Sequence, residues 1–522
     1  MRRASHLAGL GVFCGLVCSA WAQDWTTTGF DAQRSFWLRA DTKISVASVR
    51  DTGLQHLWRL GLGGEAPPGT ALPGPVLLDF LISHRGFRSL AFLGGPDGSV
   101  YAFDTDLARL EWHRPLGPLA QPPEGSAPCA AVPTAVTRPT VAAYPSMLAV
   151  GGLGPARRSP GVGAVGEPGK GAVTLKRPRR PPFSIPEPPN PGARERPPPF
   201  PSLFGLSAVY ALPHDGSLYT LLASNGMNHV EMIPFTPAGG HARGLIVSHG
   251  MAYVATSSGC AEVPDGVWAL EIGSGRVTSW ESNDGAVAGD AGPSMAPDGT
   301  LYAATTDGQV VALDGQSLEV KDSAHAEGRT FGTSPVVLDI AGRDYLAVAA
   351  DDGSLTLFDA GDLARGAIAA SDPVGGSARL AGGAVAAWRD GEGTTWVLVP
   401  IEGAVGADAG FETERPITRG TIAAWRITGD GPTLGLDGGW LSRNLEKPRP
   451  PIVVNGVVFA TAGGERAPTA LYALDGATGA VIWDSGPTLD AGSATGLTAG
   501  GNEIFVTTTD GGLHAFGFLI EH

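Results

Sequence analysis

Short runs that alternate apolar and polar residues fill most of this chain, and Gly-containing turns separate them. No long stretch keeps apolar spacing at 3.6 residues, so the pattern predicts many short strands. One phrase recurs. Its fullest copy is Leu471-Tyr472-Ala473-Leu474-Asp475-Gly476-Ala477-Thr478-Gly479-Ala480-Val481-Ile482-Trp483. Val100 to Trp112 repeats it at the same spacing, and Val267 to Trp280 repeats it one residue longer. Leu218 to Val230 is a fourth copy, with Val230 in place of the Trp, and degenerate copies begin at Val310 and Leu355. The first half alternates as a strand does. Asp and Gly then make a turn, and the second strand ends on a Trp whose face can pack on the next repeat.

A second signal precedes the phrase: Asp97-Gly98, Asp215-Gly216, Asp307-Gly308, Asp352-Gly353 and Asp510-Gly511. Asp-Gly between apolar strands marks a hairpin. Each unit therefore reads as a four-stranded meander, A-B-C-D, with the Asp-Gly turn between B and C. Seven units begin near Pro75, Thr137, Arg243, Pro293, Ser334, Leu380 and Pro450, the sixth being the least distinct. The eighth is split: Gly496 to Gly517 supplies A, B and C, and Leu57-Trp58-Arg59-Leu60 matches an orphan D strand. Pairing the two ends closes the ring and removes its free sheet edges. The predicted fold is all-β, an eight-bladed β-propeller over residues 23–522 whose N- and C-terminal strands close it.

The repeat resembles the tryptophan-docking repeat of the quinoprotein dehydrogenases, which bind pyrroloquinoline quinone (PQQ) in eight-bladed propellers. The opening Asp24-Trp25-Thr26-Thr27-Thr28-Gly29-Phe30-Asp31-Ala32-Gln33-Arg34-Ser35 also resembles the start of secreted, PQQ-binding-like propeller proteins. The resemblance implies the fold. For chemistry it implies PQQ with calcium, adjacent cysteines near the cofactor, and metal ligands of the Glu, Asn and Asp types. Adjacent cysteines are not present, and the ligand set does not map residue by residue.

Composition adds a compartment. Arg2 and Arg3, the apolar run Leu7 to Val17, and Ala20-Trp21-Ala22 read as a signal peptide over residues 1–22. That places the protein in the periplasm or outside the cell. The apolar run is shorter than the roughly 20 residues a span needs, and no other segment qualifies as transmembrane. Losing Arg2 and Arg3 takes the formal charge from −15 to −17, which argues against a nucleic-acid partner. Of four cysteines, Cys14 and Cys18 leave with the signal. Cys129 and Cys260 remain and are expected to form a disulfide. Residues 154–203 are rich in Pro, Gly and Arg, a composition that cannot bury a core and predicts a disordered insertion. It is either a solvated insertion without a role or a basic docking arm for an acidic partner.

Catalytic signatures are missing: there is no Cys-x-x-Cys-His, no His-Glu-x-x-His and no phosphate loop. Topology supplies candidates instead. The starts of the A strands ring one mouth of the channel, and Arg138, Arg243, Ser294, Thr333 and Arg449 fall there. Converging arginines suit an anionic ligand, a carboxylated quinone included. The alternative is that they pair with acidic loop residues or bond blade-end carbonyls. Two functions follow. One is a binding or scaffold module for a protein partner or a small anionic ligand, akin to secreted propellers that assist outer-membrane protein assembly. The other is a PQQ-dependent dehydrogenase oxidising an alcohol or sugar.

Overall fold

The structure is a computed structural model, and it describes residues 24–62, 72–83, 86–117, 132–140, 208–257, 263–407, 409–411, 416–429, 431–489 and 493–519. Residues 1–22, 154–203, Cys129 and Cys260 lie outside them.

Eight antiparallel sheets follow one another around a ring. Blade 1 shows the plan: Val76–Ser83, Gly86–Gly94, Ser99–Asp104 and Arg109–Pro115 form a simple meander. The A strands of blades 2 to 8 are Ala135–Thr137, His241–Ser248, Ser294–Met295, Val336–Ile340, Ala386–Arg389, Ile452–Val454 and Ala494–Gly500. The Asp-Gly turns join B to C as the pattern requires. In the first, the Asp97 carboxylate accepts from Ser99 N at 3.1 Å while Gly98 takes φ 76°, a region costly for any residue with a Cβ.

Cores form between the faces of neighbouring blades. Tyr302, Phe331, Leu346 and Phe358, from blades 4 and 5, belong to one such cluster. Burying a side chain of that size is worth about 1.5–3 kcal/mol. The tryptophans that end the phrase also bind their neighbours by hydrogen bonds. Trp112 Nε1 in blade 1 donates to Ala223 O in blade 2, and Trp440 Nε1 in blade 6 donates to Gly476 O in blade 7, both at 2.9 Å.

The ring closes as the split eighth unit predicts. Gln55–Gly61 pairs antiparallel with Gly512–Gly517, with Trp58 opposite Ala515 and Leu60 opposite Leu513. A short helix, Val46–Thr52, precedes the closing strand, and Ser45 and Ser48 cap it reciprocally. The indistinct sixth unit has a physical cause. Its inner strand is broken: Arg379–Leu380 and Ala386–Arg389 pair separately with Thr395–Glu402. In the gap, Gly383 bonds Asp290 in the loop entering blade 4, its carbonyl accepting from Asp290 N at 3.0 Å and its N–H donating to Asp290 Oδ2 at 3.2 Å. Among the described residues, no helix is long and apolar enough to cross a membrane.

Candidate functional site: the central channel

Residues 24–36 belong to no blade, and Trp37–Leu38 joins only the inner edge of blade 7. They run as a hoop inside the channel and meet the inner strands in order. The Trp25 carbonyl accepts from Leu77 N in blade 1, and the Thr26 carbonyl from Arg138 N in blade 2, both at 2.8 Å. Thr27 Oγ1 donates to Leu245 O in blade 3 at 2.7 Å. The carbonyls of Ala32, Gln33, Ser35 and Phe36 then accept from Met295, Val337, Ala387 and Val453 in blades 4 to 7, at 2.8–3.0 Å. Trp37–Leu38 finally lies parallel to Val453 and Val454. Trp25, Phe30, Ala32, Gln33, Arg34, Ser35 and Leu38 are all buried.

The hoop leaves the channel on the A–B turn side. Asn455, in the A–B turn of blade 7, donates to Asp41 O and Ile44 O, and Thr42 bonds Asn502 in the equivalent turn of blade 8. A sharp path demands unusual backbone. Gly29, Phe30, Arg34 and Phe36 all have φ between 53° and 81°, and non-Gly residues hold such angles only where the surroundings over-determine them. Arg34 supplies the over-determination. Fully buried, it donates Nε to Pro293 O at 2.9 Å, Nη1 to Thr27 Oγ1 at 3.1 Å and Thr28 O at 2.5 Å, and Nη2 to Gly244 O at 2.6 Å. Burial lowers its pKa to about 9, against the raising effect of Asp31, so it stays cationic at neutral pH. Gly244 has to be glycine: its φ is 64°, and a Cβ there would meet Ala291 O at 1.8 Å and Arg34 Nη2 at 2.8 Å.

Above the hoop, on the side where the A strands start, lies a cavity of about 370 Å³. Trp25, Gly29 and Phe36 of the hoop line it, Phe92 adds a further apolar wall, and Arg243, Asp290, Arg449 and Thr498 add polar groups. Arg243 Nη2 donates to Val287 O at 3.0 Å, Nη1 lies 4.0 Å from Asp290 Oδ1, and the buried Nε has no hydrogen-bond partner. Arg449 anchors its backbone by donating N–H to Thr461 O, and its side chain is exposed. Thr498 is fully buried and its Oγ1 likewise lacks a partner. A second cavity of about 460 Å³, beyond Arg449 and Thr461, has Lys447, Thr469 and Ser493 on its wall.

Of the five candidates at the channel mouth, the structure brings Arg243 and Arg449 to this cavity. Arg138 lies behind it, its Nη1 paired with the Asp24 carboxylate and donating to Leu77 O at 2.7 Å. Ser294 is buried with its Oγ unpartnered, and Thr333 Oγ1 accepts from Ala349 N at 3.0 Å; neither lines the cavity. Asp290, Thr498 and the hoop residues were not legible as site residues. Arg34 stood in the quoted opening segment, but nothing in Gln33-Arg34-Ser35 marks an arginine for burial.

A second electrostatic feature lies where blades 8 and 1 meet. Asp79 and Glu503 line a small cavity there with Asp106. Burial, then Asp24, raises Asp79 to about 7; burial, then Asp106 and Asp79, raises Glu503 to about 8. His214 and His241 approach with ring centroids 6.5 Å apart. Among the described residues, no three His, Cys, Asp or Glu are grouped to hold a metal ion. Among the described residues, the channel-mouth cavity offers one carboxylate, Asp290, and no Glu or Asn. These residues do not fit a calcium-bound quinone, whose metal needs several hard oxygen donors.

No family model matches the chain, and no curated protein matches it in sequence. Solved structures resemble its fold. The quinohemoprotein alcohol dehydrogenase of Comamonas testosteroni aligns over 96% of this chain and 82% of its own, with TM-score 0.56 and 14% identity. The quinohemoprotein alcohol dehydrogenase ADHIIG of Pseudomonas putida HK5 aligns over 96% and 81%, with TM-score 0.55 and 13% identity. A europium-containing methanol dehydrogenase aligns over 95% and 98%, with TM-score 0.52 and 12% identity. At such identity the likeness is one of architecture alone: this chain folds as a closed eight-bladed β-propeller, as those structures do.

Proposed function

We propose that the protein is a binding module whose channel mouth takes a small, partly planar anion. The observation that carries this reading is the pair of arginines on one cavity, Arg243 with a buried Nε left without a partner and Arg449 with an exposed guanidinium. An unpaired buried donor costs about 1–3 kcal/mol, and a ligand carboxylate relieves that cost. Apolar Trp25, Phe36 and Phe92 give a flat body of the ligand something to pack on. Asp290 Oδ1, 4.0 Å from Arg243 Nη1, disfavours a second negative charge near itself. The signal-like N-terminus supports a place outside the cytoplasm.

Calorimetry with a panel of aromatic mono- and dicarboxylates, and with the tricarboxylate PQQ, tests the proposal. Arg243→Gln and Arg449→Gln should each weaken the best binder by about tenfold or more. Binding that ignores both substitutions would overturn it. Turnover of an alcohol or sugar with PQQ, calcium and a dye acceptor would favour the dehydrogenase reading instead.

A further inference from the structure

The hoop has the contacts of a bound peptide. Its backbone carbonyls take hydrogen bonds from successive inner strands, and two of its side chains, Trp25 near its start and Arg34 in mid-path, are buried. Trp25, 2% exposed, lies edge-on to Phe30 with centroids 5.4 Å apart. Arg34 is held by acceptors in blades 3 and 4 and in the hoop itself. Main-chain bonds supplying affinity and buried side chains supplying specificity is how extended peptides are recognised by strand surfaces. The only sheet pairing the hoop makes as a strand is the two-residue contact with Val453 and Val454. Blade 8 owes its four-strand completeness to Gln55–Gly61 and the other blades to their own strands, not to the hoop.

We infer that the central channel is a peptide-binding site, filled in cis by residues 24–38, and that it holds the same segment when that segment is a separate chain. The ligand class is an extended peptide with a buried tryptophan and a buried arginine at the spacing of Trp25 and Arg34. The connection to the propeller runs through exposed Thr42 and Lys43, so the link can be cut without touching the seat.

The experiment uses the full chain with a protease recognition sequence inserted between Thr42 and Lys43. After folding and cleavage, the fragment ending at Thr42 should co-elute with the propeller in gel filtration, and the melting temperature should stay within a few degrees. Release of the fragment, or unfolding of the propeller on cleavage, would overturn the inference. The fragment is then stripped in mild urea and a fluorescent peptide of residues 24–42 is added back. Uptake should exceed that of the same peptide carrying Arg34→Ala by at least tenfold. Equal uptake of the two, or none of either, would also overturn it.

Discussion

His56 Nε2 lies 3.2 Å from His514 Nδ1, across the seam where the first blade-forming strand meets the last. His56 also packs against Phe516, with Arg59 beside the pair and Asp510 taking Arg59 at 2.7 Å. Burial, then His56 and Arg59, lowers His514 to about 4, and burial with Arg59 lowers His56. Both rings are therefore neutral when folded at pH 7. The folded pKa lies below the unfolded one, so the unfolded chain gains protons first on acidification. The stability tied to the pair is full above about pH 6.5 and is lost as pH falls toward 4. Thermal melts from pH 7 to 4.5 should show a steep loss that His514→Gln flattens. Parallel curves for the two proteins would refute a role for the pair.

Asp79 and Glu503 carry the opposite sign. Their folded pKa values, about 7 and about 8, lie above the unfolded ones. Their contribution is most favourable below about pH 4 and declines as pH rises through 7 to 8. Asp79→Asn and Glu503→Gln should each stabilise the protein at pH 9, by about 1–2 kcal/mol, and give no gain at pH 4. Urea titrations at the two pH values check this. A gain that is the same at both would trace to packing, not ionisation.

Arg34→Met should cost about 3–5 kcal/mol, because it leaves the Pro293, Thr28 and Gly244 carbonyls buried without their donor. Arg34→Lys should recover less than half of that, since a single ammonium cannot reach acceptors arranged for a planar fork. Chemical denaturation measures both. A loss under 1 kcal/mol for Arg34→Met would mean the hoop is held by its backbone alone.

Deleting residues 54–61 removes the partner of Gly512–Gly517 and exposes a strand edge. Light scattering should then show aggregation at concentrations where the intact chain is monodisperse. A truncated chain that stays dispersed and melts unchanged would place closure elsewhere.

The repeat made the blades legible because each one spells out its own turns and its own docking tryptophan. Asp97-Gly98 gives a hairpin wherever it occurs, and Trp112 reports its neighbour by size alone. Closure was legible for the same reason, since Trp58 matches Trp483 in an otherwise complete phrase. The channel was not. By sequence Arg138 and Arg243 alike fall at the start of an inner strand, but Arg138 follows the end of Ala135–Thr137 and pairs with Asp24, while Arg243 stands near the start of His241–Ser248 and lines the cavity. What separates them is the path of residues 24–38 across seven blades, and no local pattern encodes contacts at separations of several hundred residues. The break in blade 6 has the same origin, because Gly383 answers to Asp290 and not to its own strand.

Phe36 bonds Val453 and Trp25 bonds Leu77, so the hoop is seated only when blades from both ends of the chain exist. A ribosome delivers these residues before any of the blades, yet their resting place is finished last. The opening segment must therefore wait, unburied, through the making of the whole propeller, and its arrival is the slow, long-range step that such distant pairings impose. Trp25 and Trp37 carry the clock for that arrival: their change in fluorescence should lag behind the appearance of strand signal in refolding.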